Sequence, residues 1–313
     1  MKRREFLKGS ATAGLVAAIP SSVFGRASAG PGATGAPRAP AAIAPLHPPG
    51  KGRIPVAFLI TEGAVMIDFA GPWEVFQDVY LPSRGPDMED QMPFNLYTVS
   101  DSTKPVRISG GLQIVPDHSF ADAPEPKVIV IPAQKGGPAA VEWVRAASKN
   151  TDITMSVCTG AFLLASTGLL SGKAATTHHS SYRTFAMQFP DIRVERGVRF
   201  VDEGGIASAG GLSSGIDLAL HVVARYFGAD AAVATAYQME YQGQGWSHPA
   251  SNAVYAQARR GTSAHPLCPV CEMDVDPALA PKSAFKGKTY YFCSTGHKDQ
   301  FDAAPEKWLG GQK

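Results

Sequence analysis

Two groups of residues carry chemistry by type and spacing. The first is Cys158, inside residues 151–168. Ile153, Met155 and Val157 alternate with polar residues and predict the end of a strand. Ala161, Leu164 and Ala165 then recur at helical spacing, and Gly168 suits a C-cap. A strand that turns at once into a helix lifts the side chain between them out of the sheet and aims free helix N–H groups at it. That is nucleophile-elbow geometry, with sulfur in place of a serine oxygen. A helix N-terminus stabilises an anion, so the thiol is expected to titrate below the ~8.5 of a free cysteine. The same spacing also suits a packed core thiol, because free cysteine is among the most buried residue types.

The second group is Cys268-Pro269-Val270-Cys271, followed by Cys293 and His297. A Cys-x2-Cys knuckle turns two thiolates toward one point, and a one-turn spacing presents Cys293 and His297 on one face. Three sulfurs and one imidazole suit zinc or copper. A Cys268–Cys271 or Cys271–Cys293 disulfide is the alternative in an exported protein. Four candidate ligands in a segment too small for a real core favour metal.

The elbow needs a sheet to stand on. Ile54–Ile60 and Lys127–Pro132 are nearly continuous apolar runs, as buried parallel strands require. Phe94–Val99 and Leu112–Val115 add two strands, and 193–194, 199–201 and 206–208 add short ones. Helices are predicted over 72–79, 139–148, 214–227 and 229–241. Alternating strands and helices predict an α/β, flavodoxin-like sandwich: a parallel sheet covered on both faces. The elbow then lies at the carboxyl end of a strand, where such sheets bind ligands. The glycine-rich stretch 203–215 matches neither a Walker nor a dinucleotide fingerprint and is expected to be a tight strand-to-helix turn.

Val157-Cys158-Thr159-Gly160-Ala161, followed by Gly168-Leu169-Leu170-Ser171-Gly172-Lys173-Ala174-Ala175-Thr176-Thr177-His178, resembles the ThiJ/PfpI superfamily. So does Asp68-Phe69-Ala70-Gly71-Pro72-Trp73-Glu74-Val75-Phe76. The resemblance is closest to the isonitrile-hydratase-like branch, which also contains the amidotransferase-like halves of some transcription regulators. It implies the class I glutamine amidotransferase-like fold and a homodimer. It sets the Asp68 carboxyl against the Cys158 thiol, as proton holder or general acid/base; a helix N-cap competes for Asp68, and Glu74 is the reserve. Thr159 stands where peptidase-like members carry histidine, so the Cys-His pair of a thiol protease is missing. Threonine there is what the hydratase branch shows, and its hydroxyl is expected to orient substrate or water. His178 matches a histidine of the branch, whereas His179 replaces an aromatic residue. Either lines the pocket or is a satisfied structural histidine. The turn Ala133–Gly137 takes the place of a glycine-rich turn whose amides help form an anion pocket, with Ala133 and Gln134 in place of the usual glycines.

The implied activity is that of a hydro-lyase: Cys158 attacks an isonitrile carbon, or a reactive carbonyl such as a 2-oxoaldehyde, with no cofactor required at the thiol. The other class is a non-catalytic protein that senses or handles a ligand or a metal. Cys268–Met273, Gly287–Ser294, Phe301 and Pro305 resemble a YHS domain, which often has cysteine where this chain has His297.

The net charge of +2, with no basic stripe and no helix-turn-helix, excludes a nucleic-acid binder. Lys2-Arg3-Arg4-Glu5-Phe6-Leu7-Lys8, the weakly apolar Ala11–Ile19 and the small-residue site Ala27-Ser28-Ala29 resemble a twin-arginine signal, which implies periplasmic export. The expected organisation is therefore a signal over 1–29, a linker over 30–52, the ThiJ/PfpI-like domain over 53–241, a connector over 242–267 and a metal-binding module over 268–309. The connector is expected to leave the two modules independent.

Overall fold

The computed structural model describes residues 43–257 and 260–309. The export segment and most of the linker lie outside them. Among the described residues no helix is long and apolar enough to cross a membrane. The described residues belong to one compact unit.

The central sheet has seven strands: β1 (Ile54–Leu59), β2 (Phe94–Ser100), β3 (His118–Ser119), β4 (Val128–Ile131), β5 (Ile153–Val157), β6 (Phe200–Asp202) and β7 (Ile206–Ala209). Their order is β6-β7-β5-β4-β1-β2-β3. All pairs are parallel except β6 with β7. The chain starts at β1, builds outward through β2 and β3, then returns to the other side of β1 with β4. The loops after β1 and β4 therefore diverge, at the kind of switch point where open α/β sheets bind ligands.

Every residue of β4 and β5 is buried, so the continuous apolar runs are strands covered on both faces. One face is covered by α1 (Met66–Gln77), α5 (Ser214–Phe227) and α6 (Ala229–Gln238). The other carries α2 (Pro138–Ala147), α3 (Gly160–Ser166) and α4 (Tyr182–Gln188).

Two expectations change. The helix expected over 72–79 begins at Met66, with Pro72 inside it. Proline is most at home in a first turn, which made Pro72 look like a helix start. Burial of Asp68, Phe69, Gly71, Val75 and Phe76 outweighs the hydrogen bond that Pro72 cannot donate. The segment 112–115 contributes only Gln113–Ile114, paired antiparallel with Val106–Arg107 outside the main sheet.

The C-terminal module contains a hairpin, β8 (Lys282–Phe285) and β9 (Lys288–Tyr291), then α7 (Thr295–Ala303) and α8 (Pro305–Leu309). Val270, Val275, Phe292, Phe301 and Trp308 form its small core. The connector does not keep this module apart. Met187 of α4 packs on its core, and Arg183 and Thr184 hydrogen-bond its backbone carbonyls. A core of this size leaves apolar surface and carbonyls that need partners, and α4 supplies them.

The tightest junction lies under the elbow. A Cβ on Gly160 would collide with the carbonyls of Ile131 and Pro132, lying 2.7 Å from the latter. Gly160→Ala tests this. In an unstrained helix the change gains up to about 1 kcal/mol. Here it is expected to cost roughly 1–3 kcal/mol, read as a lower urea midpoint. A midpoint unchanged or raised would mean that α3 is not pressed onto the end of β4.

Candidate active site and metal centre

Cys158 stands between β5 and α3 with φ +59°, a left-handed backbone that is unusual for a non-glycine residue. The strain is held from two sides. The Cys158 N–H donates to the carbonyls of Gly210 (2.8 Å) and Ala209 (3.2 Å), and its own carbonyl accepts from Thr177 Oγ1 (2.9 Å). The side chain is directed off the strand end but is only 8% exposed. The backbone N–H groups of Thr159 and Leu212 and the Thr159 hydroxyl face the sulfur.

Asp68, on the first turn of α1, is fully buried beside the thiol. Its Oδ2 accepts from Ala133 N–H at 3.1 Å, while Oδ1 is buried without a hydrogen-bond donor. Burial raises the Asp68 carboxyl to about 7, against the opposing effects of the Ala133 amide and the Cys158 thiol. Burial and then the Asp68 charge push Cys158 up to about 12, against the Thr159 and Leu212 donors. The expectation of a depressed thiol is thus reversed. The pair holds its protons more tightly than either group would in water.

Thr159 contacts sulfur directly, where the sequence pointed to substrate or water. His178 lies one layer out. Its Nδ1 accepts from the Ser180 N–H at 3.3 Å and lies 2.8 Å from the Ser180 hydroxyl, which places its proton on Nε2. Burial, then His179, lower its pKa, so the ring is neutral. It packs on Gly211, where a Cβ would strike the ring, next to the Leu212 amide at the sulfur. Glu74 is an exposed partner of Gln77, away from this cluster.

The Ala133–Gly137 turn does not present a row of free amides. The N–H groups of Ala133, Lys135 and Gly136 go to Asp68, the Glu62 carbonyl and Thr61 Oγ1. The donors at the sulfur come instead from Thr159 and Leu212. Leu212 was not singled out from sequence. Its signal was the preceding Gly210-Gly211 pair, which permits the chain to approach the elbow. Thr177 was also missed as a support for Cys158.

Cys268, Cys271, Cys293 and His297 form a second cluster, their ligand atoms all within 4.8 Å of one another. All four cysteines are free thiols rather than disulfides. Ser294 caps α7, accepting from the His297 N–H, and brings His297 Nδ1 to 3.0 Å from Cys293 Sγ. The Cys271 thiol, and then the backbone N–H groups of Cys293, Cys271 and Val270, hold the Cys268 thiol well below its usual range. Converging sulfurs, two of them buried and one exposed, with backbone N–H groups facing Cys268, fit a soft metal ion, which this donor set would hold as three thiolates and an imidazole.

Both segments match known protein families. A model of the DJ-1/PfpI family matches residues 55–225, and a model of the YHS domain matches residues 268–312. The chain is similar to the isonitrile hydratase of Pseudomonas putida: 31% identical over 216 residues, covering 66% of this chain and 88% of that protein. It is 29% identical over 150 residues to the HTH-type transcriptional regulator CdhR of Pseudomonas aeruginosa, spanning 46% of this chain but only 44% of the regulator. Among solved structures, a ThiJ/PfpI family protein from Pseudomonas syringae superposes with TM-score 0.54 at 25% identity, over 62% of this chain and 77% of that one.

The raised Asp68 carboxyl has a stability consequence. Between the ordinary carboxylate value of 3.8 and about 7 the native state binds the proton and the unfolded state does not. The Asp68 contribution to stability therefore falls as pH rises through that window. Asp68→Asn removes the slope. It is expected to gain up to a few kcal/mol relative to the parent at pH 8, with no such gain near pH 4, measured by urea unfolding. A parent stability that rises from pH 4 to 7, unaltered in slope by the substitution, would contradict the buried neutral carboxyl.

Proposed function

Because the chain belongs to the DJ-1/PfpI family, we propose that it is a cysteine-dependent hydro-lyase acting on a small electrophile, of the isonitrile-hydratase type. The observation that carries this is the buried Cys158–Asp68 pair, with amide and hydroxyl donors already aimed at the sulfur. In its ionised form Asp68 accepts the thiol proton as sulfur bonds to the isonitrile carbon. Asp68 then returns that proton to the carbon, giving a thioimidate on Cys158. Water adds to the same carbon, one of its protons passes to nitrogen, and the carbon–sulfur bond breaks as the remaining hydroxyl proton passes to sulfur and the C=O forms. The thiol is regenerated and a formamide leaves. Thr159 steadies the sulfur as charge develops there. Neutral His178 holds the Gly211–Leu212 turn in place. Peptidase chemistry is not proposed, because Thr159 occupies the position of a Cys-His base.

The C-terminal module is proposed to hold zinc or copper through Cys268, Cys271, Cys293 and His297, which supplies structure rather than a reaction step at Cys158. Export by the twin-arginine route rests on Arg3-Arg4 and the segment after them. A homodimer rests on the family resemblance. A non-catalytic ligand-binding role is favoured by the tightly held thiol proton and by the likeness to regulators.

A panel of alkyl and aryl isonitriles separates the two. Formamide formation is expected with the parent and not with Cys158→Ser, and Asp68→Asn should lose at least about tenfold in kcat/KM. Saturable binding without turnover in the parent would establish the ligand-binding role instead. Equal turnover by Cys158→Ser would refute the nucleophile.

A further inference from the structure

The C-terminal module rests on α4 through the backbone of its own ligand knuckle. Pro269 and Val270 lie between Cys268 and Cys271. Arg183 Nη1 donates to the Pro269 carbonyl at 3.4 Å, and Thr184 Oγ1 donates to the Val270 carbonyl at 2.9 Å. Arg183 also donates to the carbonyl of Trp308 in α8.

A trans peptide plane points its C=O and its N–H in opposite directions. The plane whose carbonyl Arg183 holds carries the Val270 N–H, and the plane held by Thr184 carries the Cys271 N–H. Both of these N–H groups face the Cys268 sulfur. Each plane is thus pinned at one end by α4 and at the other by a ligand atom. Outer partners of this kind orient metal ligands.

The segment just before α4 supports the other site. Thr177 holds the Cys158 carbonyl, His178 packs on Gly211, and His179 stacks on Tyr255 with ring centroids 4.6 Å apart. A cavity of about 30 Å³ between this segment and the module is lined by His179, Tyr182, Arg196 and Glu272, the last adjoining Cys271.

We propose that Arg183 and Thr184 are positioning residues for the metal knuckle, so that metal binding in the C-terminal module and the seating of Thr177–Ser181 under Cys158 are one linked equilibrium. This rests on the metal-binding reading of the four ligands and not on any turnover at Cys158. Linkage is reciprocal: whatever the docked segment adds to metal affinity, the metal adds to the order of the segment.

The test uses full-length protein carrying Cys158→Ser, so that no other thiol competes for metal. Zinc(II) affinity is measured by competition with a chromophoric chelator. The Arg183→Ala/Thr184→Val double variant is expected to bind zinc roughly ten- to a hundredfold more weakly, the range found for outer partners of metal ligands. Amide hydrogen exchange across 177–185 is compared with zinc loaded and stripped, without the double variant, and is expected to slow about tenfold on loading. This second measurement decides the matter if the double variant does not fold. Unchanged zinc affinity in a folded double variant, or equal exchange with and without zinc, overturns the linkage while leaving the metal site intact. A chain that binds no zinc at all overturns the metal-binding reading and this proposal together.

Discussion

The structure turns on a single backbone torsion. Cys158 is held in the left-handed region, which costs a non-glycine residue about 1–2 kcal/mol. Relaxed to a strand conformation, residue 158 would extend β5, and its side chain would follow the alternation of the sheet. The surrounding sequence prevents that relaxation. Gly160 lets α3 begin against the carbonyls that end β4, and the carbonyls of Ala209 and Gly210 hold the Cys158 N–H. Gly215 and Gly71 permit the same closeness on the opposite face, where α5 meets β5 and α1. Close packing around one strained residue fixes where the thiol, Asp68 and the Leu212 amide meet.

Once the thiol is there, magnitudes decide its state. A helix N-terminus contributes about 0.3–1 kcal/mol to a nearby anion, less than one pKa unit. Burial shifts titrating groups by several units. With Asp68 itself buried next to the sulfur, the desolvation of the thiol and then the Asp68 charge outweigh the helix amides. The result is a site that holds its protons more tightly than either group would in water. An apparent titration of such a site belongs to the pair rather than to either residue.

The fold was largely legible because its signals are local. The apolar runs of β1 and β4 and the strand–Cys–helix pattern of 153–166 report their own conformations. So do the two ligand pairs of the C-terminal module, Cys268 with Cys271 and Cys293 with His297, which the fold brings into one cluster. What was not legible depends on distant partners. The start of α1 at Met66 is set by burial against the sheet, not by Pro72. The reversal of the thiol's expected shift needs the depth of burial, which no window of sequence contains. The docking of the module on α4 joins residues 86 positions apart through main-chain carbonyls, whose engagement leaves no side-chain signature. Leu212 acts through its N–H, so its residue type said nothing about its place at the sulfur.

The most direct test of the Cys158–Asp68 pair is the pH dependence of alkylation at Cys158 by iodoacetamide, followed by mass spectrometry of the peptide that contains it. The alkylation rate is expected to rise through an inflection near pH 7, where Asp68 ionises and becomes able to draw the thiol proton as sulfur attacks, and to lose that inflection in Asp68→Asn. A single inflection at the ~8.5 of a free cysteine, the same in both proteins, would contradict it.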